Sequence, residues 1–80
     1  MAYHLTEIPK GEFGEASKIT EEYLEFIDAI EQNNHVMSLI ELSDLIGAIE
    51  EYSKKWNISL YDLIIMKNAT KSAFEDGTRK

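Results

Sequence analysis

Glu22 and Glu25 lie three residues apart in Glu21-Glu22-Tyr23-Leu24-Glu25, and Glu41 and Asp44 repeat that spacing in Glu41-Leu42-Ser43-Asp44. On an α-helix, residues three apart share a face with Cβ atoms ~5–6 Å apart, so each pair can aim two carboxylates at one point. The pairs are also in step with each other, because Glu22 to Glu41 and Glu25 to Asp44 both span 19 positions. Four acids meeting at one depth would form an all-oxygen site for a hard divalent cation, Mg²⁺ or Mn²⁺. The chain has no cysteine, and its methionines and its two isolated histidines, His4 and His35, have no zinc or copper spacing. Thiolate metal sites are thereby excluded, and neither histidine is assigned a role.

These acids need helices to position them. Ile19, Tyr23, Phe26, Ile27 and Ile30 recur at intervals of three and four, which predicts a helix over about 15–32 ended by Gln32-Asn33-Asn34. A second helix over about 35–56 is apolar on nearly every side through Val36, Leu39, Ile40, Leu42, Leu45, Ile46 and Ile49. Such a helix is expected to be surrounded by others, and 80 residues cannot cover it, so a partner chain is expected. Asn57 is a stop signal, and Ser59 with Asp62 fits a capping box opening a third helix over about 60–75, before Gly77. Residues 1–14 hold the only proline, Pro9, together with Gly11 and Gly14, and read as an irregular arm, packed over a site or mobile. The expected fold is all-α, a helix hairpin plus a third helix in one domain. If the hairpin turns near Asn33, residue i lies level with residue 66 minus i, which sets Glu22 opposite Asp44 and Glu25 opposite Glu41.

Each candidate also has a plainer reading. Glu22 and Glu25 could lie on an exposed face with Lys18 as a surface ion pair, although Glu22 borders the stripe of Ile19 and Phe26 while Glu21, Leu24, Asp28 and Glu31 supply the outer face. Glu41 shares its sector with Met37, Leu45, Ala48 and Tyr52. Burying a lone carboxylate there costs several kcal/mol, which either a cation or one of Lys18, Lys67 and Lys71 could offset. Lys67 and Lys71 emerge beside Leu60, Leu63, Ile64 and Phe74, either snorkelling or reaching a phosphate. Arg79, next to Lys80 in a terminus expected to fray, either closes over a phosphate or is solvated. The aromatic residues, Tyr3 and Trp56 among them, read mostly as core or interface, and no serine has a His and Asp pattern for nucleophilic catalysis.

A net charge of -7 opposes binding to nucleic-acid polymers or an anionic membrane. No apolar run approaches the ~18 residues of a membrane span, and Met1-Ala2-Tyr3-His4 lacks a signal-peptide pattern, so a cytoplasmic location is the expectation.

The order Glu-Glu-x-x-Glu, a gap of 15 residues, then Glu-x-x-Asp resembles the signature of the MazG-like, all-α nucleotide pyrophosphohydrolases. The flanks Lys10 to Ile19, Glu41 to Ile49 and Phe74 to Arg79 are similar to the small MazG-like proteins of bacteria and phages. The resemblance implies Mg²⁺-dependent hydrolysis of a nucleoside triphosphate between its α and β phosphates, releasing the monophosphate and pyrophosphate. It implies Glu22, Glu25, Glu41 and Asp44 as metal ligands, with Glu21, Glu22 and Glu25 as the catalytic acids, Glu21 either standing behind the ligands or helping to activate water. Lys18, Lys67, Lys71 and Arg79 are the candidate phosphate contacts. It further implies a homodimer or homotetramer whose chains together build a four-helix core. The rival expectation is a non-catalytic protein that sequesters a nucleotide or nucleotide-derived signal on the same fold.

Overall fold

A computed structural model describes residues 4–79; Tyr3 and Lys80, both given expectations above, lie outside the described residues. Three helices and no strand occur among these residues: α1 (Ala16–Glu31), α2 (His35–Lys54) and α3 (Leu60–Glu75). The breaks follow from local chemistry. Asn33 (φ 57°) and Asn57 (φ 58°) both take the left-handed conformation, which asparagine tolerates better than most side chains. The Asn34 side chain then accepts the Met37 backbone N–H at 3.0 Å to open α2. α2 stops at Lys54, short of Trp56, as the chain turns toward Asn57. At α3 the capping box closes both ways: Asp62 N–H donates to Ser59 Oγ at 3.1 Å, and Ser59 N–H donates to Asp62 Oδ2 at 3.0 Å.

α1 and α2 pack against each other, whereas α3 meets α2 sparingly and does not reach α1. The far end of the α1–α2 hairpin is pinned by Glu15 Oε2 and Lys55 Nζ, 2.7 Å apart. Ala29 and Ala48 are the buried hydrophobic residues among those described. With only these two fully buried and Phe26, Ile27, Leu45 and Ile49 half-buried, the apolar burial within one chain is small. The radius of gyration is 14.6 Å, against about 12 Å for a compact domain of this length. α2 was expected to be surrounded, but within one chain it is not: Val36, Leu39, Ile40, Leu42 and Ile46 are exposed. Trp56, Tyr61 and Phe74 are exposed too, so they form no core within the single chain.

The arm is irregular as expected and takes the packed of its two expected forms. Residues 4–15 form no regular element, yet they are tied to α1. Leu5 and Thr6 donate their backbone N–H groups to the Asp28 carboxylate at 2.7–2.9 Å, and the Thr6 hydroxyl adds a bond at 3.1 Å. Gly11 N–H donates to Glu21 Oε1 at 2.7 Å. A Cβ on Gly11 would overlap the Ser17 carbonyl, so only glycine lets the arm lie this close to α1. Glu21 and Asp28, expected on the outer face of α1, are accordingly each only 2% exposed. The reason is that an irregular segment has no ladder of its own, and its donors need acceptors wherever they are buried.

Candidate metal centre

Helix packing brings the four acids of the two pairs together. Ligand atoms of Glu22, Glu41 and Asp44 lie within 4.8 Å of one another, as do those of Glu21, Glu22 and Glu25. Glu25 and Glu41 join in a third group with His4. Glu41 is 2% exposed and Glu22 6%, while Asp44 is exposed and marks the side open to solvent. Cross-helix neighbours therefore follow the register of the hairpin, with the α1 acids facing the α2 acids.

The partners of these carboxylates divide them into two kinds. Glu21 is fully engaged: Oε1 accepts from Gly11 N–H and from Lys18 Nζ (3.1 Å), and Oε2 lies 3.6 Å from Lys10 Nζ. Burial pushes its carboxyl up, but Gly11, Lys18 and Lys10 outweigh that and hold it below the ordinary value. Asp28 follows the same logic more strongly, since burial is outweighed by Leu5, Gln32 and Thr6, and its pKa is lowered to about 2. Both acids thus anchor the arm.

Glu22 and Glu41 are of the other kind. Oε1 of Glu22 pairs with Lys18 Nζ at 3.2 Å, but Oε2 is buried with no hydrogen-bond donor among the described residues. Oε2 of Glu41 is likewise buried and unpartnered, and no lysine forms an ion pair with Glu41 among the described residues. Buried polar atoms are nearly always satisfied, so two orphaned carboxylate oxygens in one cluster call for a ligand. Burial and the adjacent Glu25 raise the Glu22 carboxyl above its ordinary value, with Lys18 opposing. Glu25 is raised as well, through burial first and then Glu41, with Glu22 acting in the opposite sense. The donors are carboxylate oxygens on two helices, open on one side at Asp44, and this set fits an oxygen-seeking divalent cation.

The candidate phosphate contacts do not all gather here. Lys18 sits at the cluster, where the Glu21 hydrogen bond first and Glu22 next raise its pKa against burial. Lys67 and Lys71 are exposed on α3, which does not touch α1, and Lys67 Nζ donates to Asn68 Oδ1 at 2.8 Å. Among the described residues no ion pair joins either lysine to an acid, so neither neutralises Glu41. Arg79 lies over the Phe74 ring at 5.3 Å and donates to Thr70 Oγ1 at 3.4 Å, folded back on α3 rather than over the acids.

Sequence reasoning assigned no role to His4, which the arm delivers to the cluster's edge. Its Nε2 lies 3.6 Å from Glu25 Oε1 and its Nδ1 3.5 Å from Asp28 Oδ1. A single histidine in a non-periodic arm gives no signal of its own, though Glu21 and Asp28, two turns apart on one α1 face, were a hint that something covers that face. No helix among the described residues is long and apolar enough to cross a membrane. No family model, curated protein or solved structure matches the chain.

Proposed function

We propose that this protein is a Mg²⁺-dependent nucleoside triphosphate pyrophosphohydrolase of the MazG-like, all-α kind, cleaving between the α and β phosphates. The observation that carries the reading is the pair of orphaned, buried oxygens, Glu22 Oε2 and Glu41 Oε2, in a four-acid cluster built from two helices. Glu22, Glu25, Glu41 and Asp44 hold the cation. A Mg²⁺ ion held by them would neutralise phosphate charge and make a bound water more acidic. Glu25 is half-buried and stands beside both Glu22 and Glu41, where it can hold the cation or take a proton from bound water. Glu21 is held too low for that task and instead fixes the arm beside the site. Lys18 leaves its pairs at the rim to meet a phosphate oxygen when substrate carries the negative charge.

The wall facing the α2 acids comes from a second copy. The exposed apolar face of α2 and the extended single chain support a homodimer or homotetramer, in which paired hairpins give a four-helix core. Lys67, Lys71 and Arg79 would reach nucleotide only across such an interface. Incubation with a panel of nucleoside triphosphates and Mg²⁺ tests the function. Pyrophosphate release that stops in Glu22→Gln is expected, whereas tight binding of an intact nucleotide without turnover would favour the sequestering alternative.

A further inference from the structure

We propose that His4, Glu25 and Glu41 form a mixed nitrogen–oxygen position for a transition-metal cation, Mn²⁺ or Co²⁺ by preference, beside the all-carboxylate position of Glu22, Glu25, Glu41 and Asp44. The inference rests on the cation site proposed above, because it shares Glu25 and Glu41 with it. A ring nitrogen of His4 and one oxygen each from Glu25 and Glu41 lie within 4.8 Å of one another. Glu41 is 98% buried with Oε2 unpartnered, so the group contains a carboxylate oxygen that nothing among the described residues satisfies.

The placement of the ring suits a ligand. Nε2 stands 3.6 Å from Glu25 Oε1. Two donors on one ion, each ~2.1 Å from it, are separated by about 3.0 to 3.4 Å, so this spacing needs only a small closure. On the other side Nδ1 is 3.5 Å from Asp28 Oδ1. Closed to hydrogen-bond distance, a carboxylate behind the far ring nitrogen would be the arrangement that orients metal-binding histidines. Asp28 is itself fixed by Leu5 and Thr6, the two residues that follow His4, so the acid that orients the ring also fixes the backbone that carries it. An imidazole nitrogen binds first-row transition metals well and contributes little selectivity for Mg²⁺, which prefers oxygen. Glu41, shared by both groups, would lie between the two positions.

The competing role for His4 is a purely structural latch between Glu25 and Asp28. Pulsed EPR of the intact protein with Mn²⁺ alone separates the two, because nitrogen coupling reports an imidazole on the ion. Coupling is expected in the wild type and in His35→Gln, and is expected to vanish in His4→Gln. In parallel, His4→Gln should weaken Co²⁺ binding by at least about tenfold while leaving Mg²⁺ affinity within about twofold. Mn²⁺ bound without nitrogen coupling, or coupling that survives His4→Gln, would overturn the assignment and leave the carboxylate site standing. Failure to bind any of the three metals would overturn both. The wild-type spectrum decides even if the variant disturbs the arm.

Discussion

Replacing Glu41 by glutamine should change stability in opposite directions with and without Mg²⁺. In the metal-free protein Glu41 is 2% exposed, and one of its oxygens accepts no hydrogen bond. An uncompensated buried carboxylate costs several kcal/mol, while an unsatisfied amide costs about 1–3 kcal/mol. The glutamine NH₂ would have the Glu22 and Glu25 oxygens as acceptors, so part of that second cost disappears. A net gain of about 1–2 kcal/mol follows, raising Tm by about 5–15 °C for a domain of this size. With Mg²⁺ at a hundred times its Kd, the wild type gains about 2.7 kcal/mol by linkage, and a variant short of one charged ligand gains much less. The assay is thermal melting by circular dichroism, with EDTA and with a Mg²⁺ series. A variant less stable than the wild type in EDTA, with the same Mg²⁺ shift as the wild type, would refute the account of Glu41 as an unpaired acid awaiting a cation.

Further expectations concern protons, the arm, assembly and the lysines. Because Glu22 and Glu25 are raised, binding a cation must displace protons, so Mg²⁺ affinity should fall as pH drops from neutral, beginning above the ordinary carboxylate value. Calorimetry in buffers of different ionisation enthalpy should detect proton release just above the ordinary carboxylate range, and none there would contradict the shifts. In the metal-free protein the same two acids favour folding below their ordinary value, and that contribution is lost as pH rises through the raised one. Asp28 and Glu21 act oppositely: their contribution is present above the ordinary value and is lost as pH falls toward about 2 for Asp28. Hydrogen exchange should therefore show the Leu5, Thr6 and Gly11 amides losing protection in acid, and protection retained at pH 2 would count against the latch. Light scattering at micromolar concentration should report at least a dimer with a melting temperature that falls on dilution, whereas a monomer with concentration-independent melting would remove the shared interface. Lys67→Met and Lys71→Met should each weaken nucleotide binding about tenfold with Mg²⁺ affinity unchanged, if each lysine supplies one charge-assisted contact across the interface. Parental binding in both would leave Lys18 as the phosphate contact.

The helices were legible because their signals are local. Apolar spacing marks α1, and Asn33, Asn57 and the Ser59–Asp62 box mark where helices start and stop. The acid cluster was legible for the same reason, since two three-residue spacings joined by one hairpin fix a register. What stayed hidden depends on the arm, whose contacts span 22 or more positions at Asp28 and follow no period. Glu21 and Asp28 looked solvated on the helical wheel because the wheel shows only what α1 itself offers, and His4 looked isolated because its partners come from α1 rather than from its neighbours. The positions of Lys67, Lys71 and Arg79 relative to the acids depend on how α3 meets a second chain, which a single-chain pattern does not encode.

The central claim, that the acids serve the hydrolysis of a nucleotide at one particular bond, is tested most directly by ³¹P NMR of nucleoside triphosphates incubated with the protein and Mg²⁺. Monophosphate and pyrophosphate are expected to appear together and in equal amounts, with no diphosphate, and neither product with Glu41→Gln. Diphosphate with inorganic phosphate, or unchanged triphosphate in a protein shown by calorimetry to bind Mg²⁺, would contradict it.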